Sequence, residues 1–175
     1  MHEHRFQIDL RGIIDLLANH LYSSPEVVIR ELIQNGVDAI RARRMLEPEH
    51  AGRVHLELTT GGGGAGEATL LVEDDGVGLT ESEVHEFLST IGKSSKAEDL
   101  ESLEEGEGFL GRFGIGLLSC FMLSDEIVVI TRSARGREGG GEAAAVEWRG
   151  RSDGSYTVRE LAGSGIRPGT RVYLR

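Results

Sequence analysis

Three polar side chains, Glu31, Asn35 and Asp38, recur within one short stretch of the sequence. At roughly 100° per residue, an α-helix would place them within about 60° of one another. A carboxylate, an amide and a second carboxylate would then point at one place and could act on one polar ligand. Such a stripe is more often a solvated helix surface, so its meaning depends on what else the chain brings near it.

Two glycine-rich segments follow, DDGVG at 74–78 and GRFGIG at 111–116. The first could be a simple turn, but Asp74 at a strand end, with Gly76 and Gly78, would let a flat group approach the backbone. The second leads into a helical run, where backbone N–H groups could cradle phosphate. It lacks the G-x-x-x-x-G-K-[ST] pattern, which excludes a P-loop, and its context is not that of a Rossmann site.

The element that must position the polar stripe is a predicted helix from Pro25 to Arg44. Ser23 and Ser24 before Pro25 are a helix start signal, and the helix is expected to end before Pro48. Small or apolar residues recur at helical spacing on the side opposite the stripe. They are Ile29, Leu32, Ile33, Gly36, Val37 and Ile40.

The remaining pattern predicts strands at 54–60, 68–73, 126–133, 143–149, 156–160 and 170–174, and an edge strand or arm at 6–10. Helices are predicted at 10–22, at 117–123 and after a capping box formed by Thr80 and Glu83. Residues 92–110 are polar and acidic, which favours a mobile lid. We expect an α+β fold, a two-layer sandwich of a mixed, mainly antiparallel sheet covered on one face by helices.

Composition limits the classes of function. The chain has 175 residues, 39% of them hydrophobic, and this length predicts one domain over 1–175. Its formal net charge of −10 argues against a nucleic-acid-binding surface. No apolar run is long enough to span a membrane, so we expect a cytoplasmic protein. The one cysteine, Cys120, lies in an apolar run and is expected to be an inert core thiol.

Four segments together resemble the ATP-site motifs of the GHKL superfamily of gyrase, heat-shock chaperone, histidine kinase and mismatch-repair ATPases. They are ELIQNGVDA at 31–39, DDGVG, GRFGIG and GT at 169–170. The chain is most similar to the amino-terminal ATPase domain of the heat-shock protein 90 chaperones. Two further segments resemble sequence motifs of that family, FLSTIGKSSK and FLGRFGIGLLSCFMLSD. The resemblance covers nearly the whole chain and implies the Bergerat ATP-binding fold with ATP or ADP and Mg²⁺ as ligands.

The resemblance implies a role for each matching residue. Glu31 would be the general base for the attacking water, Asn35 would hold Mg²⁺, and Asp38 would support the ribose side. Asp74 would accept a hydrogen bond from the adenine amino group, with Thr170 nearby. The other implied nucleotide contacts are Ala39, Gly76, Gly78, Leu79 and Leu117 around the ring, and Lys93, Gly111, Phe113, Gly114, Ile115 and Gly116 around the phosphates.

Three departures and one omission shape the expected activity. Phe87 stands where the chaperones usually have Asn near the ribose, which implies that this contact is lost. Asp75 stands where the chaperones often have Thr and is expected to face solvent, and Leu117 replaces a usual aromatic residue. No cation for the transition state is identifiable; in the family it comes from a following domain, which we expect this chain to lack. The resemblance therefore implies nucleotide binding with slow hydrolysis at best, client proteins as partners of the full-length protein, and a homodimer only with downstream domains.

Two alternatives stay open at this point. One is a nucleotide sensor, in which ATP occupancy orders residues 92–110 and regulates partner contact with little turnover. The other is a different GHKL ATPase, of mismatch-repair or chromatin type, with DNA as its partner; the acidic composition argues against it. Glu31 favours hydrolysis over sensing, because binding alone would not need a base.

Overall fold

A six-stranded antiparallel sheet forms one layer of the protein. In the computed structural model, the described residues are Gly12, 24–60, 68–88, 116–136, 141–162 and 165–175, with the side chains of 87 and 88 left out. The strands are β1 (Val54–Thr59), β2 (Thr69–Asp74), β3 (Glu126–Arg132), β4 (Ala145–Arg151), β5 (Tyr156–Leu161) and β6 (Gly169–Leu174). Their order is β1-β2-β6-β3-β4-β5. The predicted α+β class is confirmed, and all the described strand pairs are antiparallel.

The last strand, β6, lies between β2 and β3 and hydrogen-bonds to both. Its register places Thr170 opposite Asp74 on one side and opposite Thr131 on the other. Directly opposed residues of antiparallel strands project from the same face of a sheet. The end of the chain therefore completes a row of three polar side chains across the middle of the sheet.

Helix α1 (Glu26–Arg44) packs on that face of the sheet, and its bounds agree closely with the predicted ones. Its buried residues are Val28, Leu32, Gly36 and Ile40, whereas Ile29, Ile33 and Val37 are only partly buried. Burial is confirmed for Leu32, Gly36 and Ile40 of the predicted apolar face. The buried stripe as a whole is shifted by part of a turn toward the polar stripe. The physical reason is that α1 rests on the sheet along its i, i+4 row, which brings the polar stripe to the rim of the helix–sheet junction.

Two short helices complete the described structure. The predicted capping box is confirmed: Thr80 Oγ1 accepts from the Glu83 N–H, and Glu83 reaches back to the Thr80 N–H, opening α2 (Glu81–Glu83). A π-helical turn, Val84–Leu88, continues it. The predicted run at 117–123 is a 3₁₀ helix, Leu117–Met122, which carries the fully buried Cys120 into the core.

Strand positions agree with the predictions to within two residues at either end. Asp74, which was expected to follow β2, is its last residue. The predicted arm at 6–10, the lid at 92–110 and, apart from Gly12, the helix at 10–22 lie outside the described residues. Among the residues that are described, no helix has the length and apolar character needed to cross a membrane.

Candidate functional site

The Asp74 carboxylate is held in a narrow gap between α1 and the loop that follows β2. Asp74 Oδ1 accepts a hydrogen bond of 2.8 Å from the Gly76 N–H. A Cβ added to Gly36 of α1 would lie 3.2 Å from Asp74 Cβ, and one added to Gly76 would lie 2.5 Å from Ala39 Cβ. The two glycines are therefore needed for the close approach of helix, strand and loop that surrounds this carboxylate.

Burial changes the acidity of this group. The pKa of Asp74 is raised from 3.8 to about 7, mainly because burial removes the carboxylate from water. The charges of Asp75 and Glu73 add to the rise, while the N–H groups of Gly76 and Thr170 oppose it. A poorly hydrated carboxylate of this kind gains from a ligand that donates a hydrogen bond to it, and perturbed carboxyls of this kind cluster at functional sites.

Thr131, which the sequence did not single out, links three parts of the site. Its fully buried hydroxyl accepts a hydrogen bond of 2.9 Å from the Leu79 N–H. The same oxygen lies 3.1 Å from the Gly169 carbonyl and 3.1 Å from Thr170 Oγ1. If its single proton goes to Gly169, the Thr170 hydroxyl must donate to Thr131, which leaves the lone pairs of Thr170 for a ligand.

One signal could have identified Thr131. Ile127 and Val129 alternate inward along β3, and Thr131 continues that alternation with a hydroxyl at an inward position. A buried hydroxyl needs hydrogen-bond partners. The sequence does not show which groups those are, because they come from the 74–79 loop and from β6.

The loop after Asp74 is anchored at both sides. The Val77 N–H donates to the Ala39 carbonyl at 2.9 Å, and the Ala134 N–H donates to the Val77 carbonyl at 2.8 Å. Gly78 has φ +62°, and a Cβ there would lie 2.0 Å from the Arg132 carbonyl oxygen. Only glycine combines this backbone conformation with this approach, so the loop has one well-defined path between α1 and β3.

Glu31 lies at the opposite end of the polar stripe, against the last residue of the GRFGIG segment. A Cβ on Gly116 would lie 2.7 Å from Glu31 Oε1. Cys120 is close as well: burial raises the pKa of its thiol to about 12, and the charge of Glu31 contributes to the rise. The raised pKa of Cys120 agrees with the expected inert thiol. The contact between Glu31 and Gly116 places the polar stripe next to the end of the predicted phosphate loop.

The other predicted residues differ in how far they enter the site. Asn35 is exposed at the rim of α1. Asp38, with 22% of its side chain exposed, accepts from Gln34 Nε2 at 3.1 Å and from Arg41 Nη1 at 3.3 Å. Ala39, Leu79 and Leu117 are partly buried. Lys93, Gly111, Phe113, Gly114 and Ile115 lie outside the described residues.

The donor set fits an adenine nucleotide. A buried carboxyl beside glycine backbone suits a flat ring with an exocyclic amine, and the hydroxyl of Thr170 lies opposite it. Asn35 has an amide oxygen of the kind that a hard cation such as Mg²⁺ prefers. No group of three or more His, Cys, Asp or Glu side chains within the described ranges could hold a metal ion.

Comparison with known proteins gives a consistent result. Residues 22–158 match a family described as histidine kinase-, DNA gyrase B- and HSP90-like ATPase. The chain is similar to the mitochondrial 75 kDa heat shock protein of Rattus norvegicus, with 34% identity over 98% of this chain and 24% of that protein. It is also similar to the chaperone protein HtpG of Chlorobium luteolum, with 31% identity over 97% of this chain and 27% of that protein. The chain is 32% identical to the chaperone protein HtpG of Streptomyces coelicolor, over 89% of this chain and 25% of that protein. The chain thus spans about a quarter of the length of these relatives.

Proposed function

The chain belongs to the histidine kinase-, DNA gyrase B- and HSP90-like ATPases, and we propose that it is the Mg-ATP-binding, slowly hydrolysing ATPase domain of an HSP90-like chaperone. The matched family spans most of the chain, and the relatives named as chaperones align along nearly all of it. Nucleotide binding follows from family membership; the reaction and the residues that perform it are the parts proposed.

One observation carries the proposal: the partly buried Asp74 carboxyl, oriented by the Gly76 N–H at 2.8 Å and opposite Thr170 on the neighbouring strand. Adenine offers an exocyclic amine that can donate to this carboxyl. Guanine has a carbonyl at that position. Its oxygen and the Asp74 carboxylate are both hydrogen-bond acceptors, so no hydrogen bond could form between them. A buried polar group left without its partner costs binding free energy, so the site should discriminate strongly between the two bases.

Hydrolysis is assigned to the other end of the polar stripe. Glu31, next to Gly116, would orient the attacking water and accept its proton. Asn35 would be a ligand of Mg²⁺, and the cation would neutralise phosphate charge when bound. Gly111, Phe113, Gly114, Ile115 and Lys93 would contact the phosphates. The reaction needs positioning and charge stabilisation more than covalent help, and without a further cation from another segment it should be slow.

Calorimetric titration with Mg-ADP, and with Mg-GDP as the control, tests the binding assignment. We expect saturable binding of the adenine nucleotide, at least about 100-fold tighter than that of the guanine nucleotide. Equal affinities would contradict the role of Asp74. Single-turnover hydrolysis of ATP by the wild type and by Glu31→Gln then separates binding from chemistry.

The activity of the whole protein is a further part of the proposal. We propose that lid closure over nucleotide at 92–110 couples to client-protein folding, and that dimerisation uses segments beyond this domain. A net charge of −10 argues against DNA as a partner, because phosphate contacts need clustered cations. Binding to DNA that weakens steeply with added salt would refute that part.

A further inference from the structure

A second cavity, of about 480 Å³, lies behind the end of the Asp74 strand. Its floor is a row of opposed residues, Glu73, Arg171 and Ile130. Each is one position along its strand from the polar row that faces α1, so these side chains project from the other face of the sheet. The floor of the cavity therefore belongs to the other face of the sheet, although Asp74 and Thr170 of the proposed nucleotide site also border the cavity. Its volume is that of a typical small-molecule site.

The lining of this cavity is rich in arginine in a chain whose formal net charge is −10. Two of its four arginines are already paired. Arg171 Nε lies 2.7 Å from Glu73 Oε1. Arg43 donates to the Asp75 carbonyl at 2.7 Å and also contacts Glu47. Their positive charge is therefore largely balanced within the protein.

The other two arginines, Arg53 and Arg167, have no carboxylate within ion-pair distance among the described residues, and both are exposed. The backbone N–H of Arg53 donates to Asp75 Oδ1 at 2.6 Å, which fixes the start of that side chain. Two guanidinium groups thus face one cavity without a partner. Guanidinium groups bind carboxylate and phosphate oxygens in pairs of parallel hydrogen bonds.

His50 supplies a further polar atom to the same cavity. Its side chain is 15% exposed, and Nε2 lies 3.2 Å from Asp75 Oδ1. The contact lacks hydrogen-bond geometry, so this buried nitrogen has no hydrogen-bond partner. Buried polar atoms without a partner are uncommon in proteins. Asp75, which was expected to face solvent, keeps 37% of its side chain exposed and lies at the edge of this cavity.

We propose that this arginine cavity, formed around Arg53, Arg167 and His50, is a second binding site, for a small molecule carrying oxyanion groups, either carboxylates or phosphates. The two unpaired guanidiniums bind the oxyanions, and His50 lies at the cavity edge as an additional hydrogen-bonding group. The site differs from the proposed nucleotide site in its floor, which belongs to the opposite face of the sheet, and in its arginines; Asp74 and Thr170 border both sites.

Calorimetric titration at about 150 mM salt, without added metal, tests the proposal with two probes, citrate and pyrophosphate. The variant is the double substitution Arg53→Gln and Arg167→Gln. The matched control is Arg151→Gln and Arg159→Gln, which removes the same charge from exposed arginines that are already paired with Glu126 and Glu147. Thermal unfolding of both variants checks that each is folded.

We expect at least one probe to bind saturably to the wild type and to lose about tenfold or more in affinity in the Arg53/Arg167 variant, with less than about twofold loss in the control. A preference for citrate would assign carboxylates as the natural groups, and a preference for pyrophosphate would assign phosphates. No saturable binding of either probe, or equal losses in the two variants, would overturn the proposal. Because no nucleotide is used, either outcome leaves the test of ADP binding unaffected.

Discussion

Replacing Asp74 by Asn should stabilise the domain and abolish its function at the same time. Asp74 has a pKa raised from 3.8 to about 7 by burial, so the folded protein binds a proton more tightly than the unfolded chain does. At pH values between these two pKa values, the folded state binds more protons than the unfolded chain, so the free energy of unfolding falls as pH rises. Asn cannot ionise and can still accept the hydrogen bond from the Gly76 N–H, so it avoids this cost.

The size of the effect follows from the shift in pKa. A rise of about three pH units corresponds to about 4 kcal/mol, at roughly 1.4 kcal/mol per unit. The variant and the wild type should therefore be similar near pH 4, where both side chains are neutral. The difference should grow through pH 5 and 6 and level off above pH 7, where the advantage of the variant reaches up to about 4 kcal/mol. For a domain of this size, that is a rise in Tm on the order of 10 °C.

Binding should change in the opposite direction. When the Asn side-chain oxygen accepts the hydrogen bond from the Gly76 N–H, its NH₂ group faces the adenine amine. Both groups are hydrogen-bond donors, so they cannot bond to each other. The expected loss of Mg-ADP affinity is at least about 100-fold. In the wild type, affinity should also fall as pH drops below about 7, because protonation of Asp74 removes a charge-assisted acceptor.

The assay is urea unfolding of both proteins at pH values from 4 to 8, with Mg-ADP titration on the same samples. Asp125→Asn, at an exposed turn position, is the matched control for the same chemical change at the surface. A difference in unfolding free energy that does not change with pH would refute the reasoning about burial. Stabilisation with unchanged ADP affinity would refute the adenine assignment instead.

Three further changes test other parts of the site. Thr131→Val should lower the free energy of unfolding, measured with urea, by about 2–4 kcal/mol, because the Leu79 N–H loses its acceptor. Thr131→Ser keeps the hydroxyl, so its loss of unfolding free energy should be less than half as large. Glu31→Gln should retain ADP binding within about threefold and lower single-turnover ATP hydrolysis by about 100-fold or more; equal loss of both would indicate a structural role. Gly78→Ala should destabilise by about 3 kcal/mol or more, since φ is +62° and the new Cβ would meet a carbonyl at 2.0 Å, while Gly141→Ala, at φ +99° with open space around it, should cost about 1 kcal/mol in the same experiment.

Local patterns predicted the elements of this fold well. Helix α1, the hairpin of β1 and β2, and the Thr80 capping box depend on residues within a few positions of one another, and all three are confirmed. The face of α1 was predicted less well, because periodicity shows that a helix is amphipathic but not how it rests on its neighbour. Val28 is fully buried although the pattern did not include it.

The amino-acid sequence alone determined the family, the class of ligand and the nature of the polar groups, because these depend on residue types at short spacing. Only the tertiary structure decided where those groups meet. The insertion of β6 between β2 and β3 joins Thr170 to Asp74 and to Thr131, over separations that no local pattern records. The same long-range pairing forms the floor of the arginine cavity, which Arg53 and Arg167 line from distant parts of the chain. Strand order depends on which long-range contacts bury the most apolar surface with every backbone group paired, and that balance belongs to the whole chain.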